Sequence, residues 1–84
     1  MIQVRFNKQL SKSIAYDGNK IIGECEFLPH DNTWTIIHTI VNDNYRGQGI
    51  AKKLVTSIIE NGQKENIILT ATCSYAKKIL DSKE

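Results

Sequence analysis

Apolar residues in this chain recur first at every second position and later at every third or fourth. Ile2, Val4 and Phe6 alternate with polar neighbours, the period of a strand with one buried face. Residues 7–11 read as a polar turn, and residues 13–16 as a second strand with Ile14 and Tyr16 on one face. Asp17-Gly18-Asn19 is a hairpin signal, because positive φ costs little at such residues. A third strand is predicted over residues 20–28, with Ile21, Cys25 and Phe27 on one face. Gly23 interrupts that face and marks a bulge or a close contact. Pro29-His30-Asp31-Asn32 turns the chain. Residues 34–41 are apolar on both faces, the pattern of a central strand, and Asn42-Asp43-Asn44 ends it.

The period then lengthens. Ile50, Leu54 and Ile58 stand at i, i+4 and i+8, and Ala51, Val55 and Ile59 repeat the spacing one position on. Together they form one broad apolar stripe and predict a helix over residues 49–61, with Gly62 as its stop. Residues 66–71 read as a buried fifth strand, and residues 74–80 as a short helix after Cys73. The predicted fold is a mixed α/β sheet: four antiparallel meandering strands, a helix, a fifth strand and a last helix. A strand–helix–strand crossover makes strands four and five parallel neighbours with a right-handed connection. No linker, repeat or low-complexity segment interrupts residues 1–84, which are expected to form a single domain.

Composition narrows the class. At 84 residues, 40% hydrophobic and 24% charged, the chain suits a small globular protein. Domains of this size bury only about 60% of their unfolded surface, so modest stability is expected. No apolar run reaches the roughly 20 residues of a membrane span, and the N-terminus lacks the apolar block of a signal peptide. A cytoplasmic location without membrane partners is expected. The net charge of +2 does not by itself imply nucleic acid. Cys25 and Cys73 lack metal-type spacing, and with only two scattered histidines no zinc site is expected. A disulfide is not expected in a cytosolic setting.

The densest chemistry lies in Tyr45-Arg46-Gly47-Gln48-Gly49-Ile50-Ala51-Lys52-Lys53-Leu54, where the fourth strand gives way to the first helix. Glycines let backbone approach a ligand closely, and a helix start presents unpaired N–H groups at the positive end of its dipole. Such a turn suits the pyrophosphate of a cofactor. The bland alternative is an ordinary strand-to-helix loop beside a solvated lysine face. Two glycines framed by Arg46 and Lys52 favour the anion site.

The segment Arg46-Gly47-Gln48-Gly49-Ile50-Ala51 also resembles the acyl-CoA signature of the GNAT acetyltransferases: arginine or glutamine, two residues, glycine, one residue, then glycine or alanine. It follows a strand and opens a helix, as that signature requires. The whole chain is similar to a subfamily of minimal GNAT-like proteins. These carry a histidine–threonine pair on the strand before the glycine turn and a cysteine after the next strand. His38-Thr39 and Thr72-Cys73-Ser74-Tyr75 occupy those places. There are departures: Ala71-Thr72 stands where minimal members carry a proline before the cysteine, and Asp81-Ser82-Lys83-Glu84 replaces a histidine–proline–glutamate–tyrosine stretch. Larger GNAT enzymes shape the acceptor site with one or two helices after strand one, where this chain has only residues 7–12.

The resemblance implies acetyl-CoA as cofactor. Backbone N–H groups of Arg46, Gly47, Gln48, Gly49, Ile50 and Ala51 would hold its pyrophosphate. Its pantetheine amides would pair with the strand around Thr39, Ile40 and Val41, if strands four and five splay there. Lys52, Lys53 or the Lys77-Lys78 pair would meet the remaining phosphate. For transfer to an amine, His38 is the candidate base, the alternative being a strand histidine bonded to a neighbour. Cys73, where strand five meets the last helix, would either take the acetyl group covalently or line the acetyl pocket, since helix starts favour a reactive thiolate. Tyr75 would protonate the departing thiolate or simply pack on the short helix. Cys25 is assigned to the core, His30 to solvent and Trp34 to packing. The implied function is acetyl transfer from acetyl-CoA to an unidentified small-molecule or peptide amine. The alternative is a module that binds acetyl-CoA without efficient transfer. A nucleic-acid function is disfavoured, because no basic recognition helix or aromatic stacking surface is present.

Overall fold

Alternation in the first half of the chain produces a four-strand meander, and the 3.6-residue stripe produces the helix that covers it. The structure is a computed structural model and describes residues 1–82. Lys83 and Glu84, which close the terminal tetrapeptide noted above, lie outside the described residues. The strands are β1 (Ile2–Asn7), β2 (Lys12–Asp17), β3 (Lys20–His30), β4 (Thr33–Val41) and β5 (Ile68–Ala71). The helices are α1 (Ile50–Lys64) and α2 (Ser74–Ser82), and a 3-10 turn spans Asp43–Tyr45. The sheet runs in the order β1-β2-β3-β4-β5, antiparallel except for β5, which is parallel to β4. Fold class and strand order are therefore those the sequence predicted.

Both helices lie on one face. Leu54, Val55, Ile58 and Ile59 of α1 and Ala76 and Ile79 of α2 are buried against Ala15, Ile22, Cys25, Phe27, Trp34 and Ile36 of the sheet. Within that core Phe27 and Trp34 stack with ring centroids 4.4 Å apart, and Phe6 lies 5.9 and 5.7 Å from them. Such pairs add about 0.5–1.5 kcal/mol beyond their burial. Trp34 thus packs, as expected. The buried Ser13 hydroxyl donates to the Leu54 carbonyl at 2.7 Å and pins α1 to β2.

Two register shifts decide which side chains face the helices. Ala15 pairs with Gly23 but Tyr16 pairs with Ile21, so Ile22 is an extra residue on β3. This corrects the expected face: Ile22 is 2% exposed in the core, whereas Ile21 is 58% exposed on the open side. Gly23 marks the bulge and a close approach together, since a Cβ there would lie 2.9 Å from the Ile40 carbonyl oxygen. On β4 the partner of Phe27 is Ile36 and that of Glu26 is His38, so Ile37 is a second extra residue. Before it Trp34 and Ile36 face the core. After it Thr39 and Val41 do, and His38 and Ile40 turn to the open face.

Two other boundaries moved. Pro29 lies within β3 rather than in a turn; β2 stops pairing at Glu26, so no neighbour there needs the missing N–H. The reversal falls at Asp31, with φ 53°. Gly62 does not stop α1. It is buried inside the helix, where a Cβ would come 3.0 Å from Leu69, and its size lets α1 approach β5. The real stop is a Schellman motif at Asn66, φ 58°, with the Ile67 N–H on the Gly62 carbonyl (2.8 Å) and the Asn66 N–H on Gln63 (3.1 Å).

On the open face, His38 Nε2 lies 3.3 Å from Glu24 and 3.6 Å from Glu26, and Lys12 lies 3.3 Å from Glu24. Burial pushes the Glu24 carboxyl up, but hydrogen bonds and charge from His38 and Lys12 outweigh it and hold its pKa below the usual 4.5. A depressed carboxylate pKa stabilises the fold above the unfolded value and loses that contribution as pH falls through the folded one. We expect urea midpoints of the wild type to fall more steeply below about pH 4.5 than those of Glu24→Gln; parallel titrations would remove this ion cluster from the stability account. Gly23→Ala, which must displace the Ile40 carbonyl, is expected to lower unfolding free energy by about 1–3 kcal/mol in the same assay.

Candidate functional site

The parallel ladder between β4 and β5 is short. It pairs Thr33–Ile36 with Ile68–Ala71 and ends there. The N–H groups of Thr72 (3.0 Å) and Cys73 (3.3 Å) both reach the Ile36 carbonyl, after which the chain turns into α2. Beyond Ile36, β4 has β3 on one side and no β5 partner on the other. Residues 38–41 therefore present a strand edge at the place where the sequence reading required the two strands to splay.

The glycine turn adjoins that edge. Gly47 has φ 81° and Gly49 φ 74°, and a Cβ at either would meet nothing within 4 Å. Their requirement is conformational rather than steric, because L-residues are strained in this region. Gly49 caps α1 without a side-chain bond, and no acidic residue stands in the first turn. The first intrahelical bond runs from the Lys53 N–H to the Gly49 carbonyl at 3.2 Å, so the N–H groups before it have no helical partner. The dipole and these donors point to an anion. Arg46 is exposed and already bonds Asp43 at 3.0 Å, an exposed pair of little net strength.

A groove of about 580 Å³ runs between turn and edge, lined by Thr39, Val41, Tyr45, Arg46, Gly47, Gly49, Ile50, Ala51 and Tyr75. It brings together most of the residues named from sequence as cofactor-binding. It does not include Gln48, Ile40, Lys52 or Lys53. Ile40 is 59% exposed on the open face. Lys52 and Lys53 line a second groove along the flank of α1, with Val4, Thr56, Ser57 and Glu60, and it meets the first at Gly49.

The three candidate catalytic residues are distributed over two faces. Tyr75, on the first turn of α2, lines the groove. Cys73 is the residue before α2, and its carbonyl accepts the first helical bond from Lys77 (2.9 Å). It is not among the residues that line the groove, but its sulfur lies 3.8 Å from the hydroxyl of Thr39, which is. His38 lies on the other side of β4, between Glu24 and Glu26, so it does not share a face with Cys73. The bulge at Ile37 separates them.

Two contacts had no signal in the sequence. The Tyr45 hydroxyl donates to Asp17 at 2.6 Å and ties the β2–β3 hairpin to the groove wall. That bond holds the Asp17 carboxyl below its usual range and the Tyr45 phenol above its own. The second is the Thr39 hydroxyl, which bonds the Cys25 sulfur at 3.3 Å as well as approaching Cys73. Burial pushes the Cys25 thiol up to about 11. Both pairings join residues distant in sequence, and neither follows a local period.

Comparison with known proteins bears on this geometry. A model of the GCN5-related N-acetyl-transferase family matches residues 12–84. No curated protein matches the chain. Among solved structures, a GCN5-like protein from Staphylococcus aureus superposes with a TM-score of 0.71 at 30% identity, over 96% of this chain and 79% of that one. Diaminobutyrate acetyltransferase EctA from Paenibacillus lautus, solved with its substrate and coenzyme A, gives a TM-score of 0.53 at 25% identity over 58% of this chain and 31% of its own. An N-acetyltransferase from Thermoplasma acidophilum in complex with coenzyme A shares the fold, with a TM-score of 0.62 at 20% identity over 67% and 35%. The family match across most of the residues, and the Staphylococcus aureus likeness across nearly all of them, show that this chain belongs to the GCN5-related N-acetyltransferase (GNAT) family.

Proposed function

We propose that the groove holds acetyl-CoA and that the protein transfers the acetyl group to an amine acceptor, a small molecule or a peptide. The observation that carries this is the junction of an unpartnered helix start, two left-handed glycines and an open β4 edge around one cavity. The donors at residues 47–52 suit a pyrophosphate. The strand edge at Thr39 and Val41 suits the amides of a pantetheine arm. Coenzyme A in related structures of the same fold supports the reading.

The residues then divide the chemistry between two faces. On the groove side Cys73 and Tyr75 attend the thioester: Cys73 as the nucleophile or as the wall of the acetyl pocket, Tyr75 as proton donor to the departing thiolate. On the open side His38, oriented by Glu24 and Glu26, accepts the proton of an acceptor amine. In direct transfer the amine nitrogen attacks the thioester carbonyl. In a relay Cys73 takes the acetyl group first and the amine then removes it. Lys52 and Lys53 face the α1 flank and serve the outer phosphate only if the nucleotide bends over the helix start. Two free cysteines suit a reducing, cytoplasmic compartment, and no helix among the described residues is long and apolar enough to cross a membrane.

Gly49→Asp combines backbone strain of roughly 1–2 kcal/mol with a carboxylate facing phosphate, and is expected to weaken coenzyme A binding at least about tenfold by calorimetry. Unchanged affinity in a variant with wild-type circular dichroism removes the cofactor assignment. Mixing the protein with acetyl-CoA and measuring intact mass distinguishes the routes. A relay leaves an acetyl adduct that Cys73→Ala abolishes; amine acetylation by Cys73→Ala without an adduct identifies direct transfer. Binding with no transfer to any of a panel of amines and peptides leaves only a binding module.

A further inference from the structure

Cys25 is a buried free thiol with no part in the proposed acetyl transfer. It sits on β3 directly opposite Thr39, is fully buried, and is half of an unusual arrangement: one hydroxyl between two sulfurs. Thr39 Oγ1 lies 3.3 Å from Cys25 Sγ and 3.8 Å from Cys73 Sγ. A hydroxyl carries one hydrogen and two acceptor lone pairs, so it can donate to one sulfur while accepting from the other. When Cys73 is a thiol, its S–H donates to Thr39 and Thr39 donates to Cys25. When Cys73 is a thiolate, the chain reverses: Thr39 donates to the Cys73 sulfur and the Cys25 S–H donates to Thr39.

We propose that Cys25 is a positioning residue for Cys73, acting through Thr39 as the fixed end of a reversible hydrogen-bond chain that steadies the Cys73 thiolate behind Thr39 of the groove wall. The reversed chain works only if the far sulfur keeps its proton. Burial does this, by pushing the Cys25 thiol up to about 11. No proton passes between the sulfurs; the one the partly exposed Cys73 loses goes to solvent, and only bond directions change. An alanine at position 25 leaves Thr39 with no donor behind it, and a valine at position 39 removes the link. The role in acetyl transfer rests on the acetyl-CoA reading. There, the Cys73 sulfur bonds the thioester carbonyl carbon, the bond from that carbon to the coenzyme sulfur breaks, the coenzyme thiolate takes a proton from Tyr75 or water, and the Thr39 hydroxyl swings back toward Cys25.

The chain is testable without any cofactor. Iodoacetamide alkylation of the full protein, followed by intact mass across a pH series, reads the availability of each thiol. In the wild type, Cys73 is expected to react first and Cys25 to stay unmodified until the fold opens. Cys25→Ala, Cys25→Val and Thr39→Val are each expected to slow Cys73 alkylation at neutral pH about tenfold and to move its pH–rate profile toward alkaline pH, with the alkaline plateau kept. Cys25→Ser and Thr39→Ser, which restore a donor and a hydroxyl, are expected to stay within about threefold of the wild type. Folded Cys25→Ala or Cys25→Val with a wild-type profile overturns the proposal, as does an equal slowing in Cys25→Ser. Because coenzyme A is absent from this assay, its failure is distinct from a failure of the calorimetric binding test.

Discussion

At the carbonyl of Ile36 two N–H groups converge, from Thr72 and from Cys73. This shared acceptor ends the parallel ladder, and the candidate site depends on where it ends. Had the ladder run on past Ile36, β5 would have covered the edge of β4 at Thr39 and then Val41. Because pairing stops at Ile36, that edge stays open, the chain leaves the sheet toward α2, and Cys73 comes to rest against Thr39. The groove is the gap between two strands that cease to be neighbours.

The second constraint is the extra residue at Ile37. A strand with strict alternation would have carried Trp34, Ile36, His38 and Ile40 on one face. The bulge inverts the last two. Thr39 can then reach Cys25 and Cys73 under the helices, while His38 joins Glu24 and Glu26 on the open face. One inserted residue thus sorts the chemistry of the strand into two compartments, a thiol side and an imidazole side. On the other side of the bulge from Thr39, Phe27 of β3 and Trp34 of β4 stack on each other and on Phe6 of β1, which joins the strands there.

Much of the architecture was legible from local patterns. Period two and period 3.6 are set by backbone geometry, so Ile2-Val4-Phe6 and Ile50-Leu54-Ile58 could be assigned without tertiary information. Asp17-Gly18-Asn19 and the Gly47–Gly49 turn were legible because positive φ is cheap for few residues, and all three glycines have it. Gly62 misled for the same reason. Glycine is both a helix stop and a small contact, and only the nearness of Leu69 reveals which applies. Pro29 misled because its tolerance in β3 depends on β2 having ended at Glu26, a fact about the neighbouring strand.

By itself the sequence determines the order and kind of the elements, the position of the phosphate-type turn at Gly47 and Gly49, and the placement of Cys73 after the fifth strand. These follow from interactions within a few residues. The tertiary structure alone decides which faces the side chains take, that Lys52 and Lys53 line the flank of α1 rather than the groove, and that Tyr45 is held by Asp17. It also decides that Cys25, Thr39 and Cys73 meet, although 14 and 34 residues separate Thr39 from the two sulfurs. The physical reason is that a bulge shifts registry by one residue and reverses every side chain beyond it, and whether a bulge forms is settled by the packing of the whole sheet against its helices.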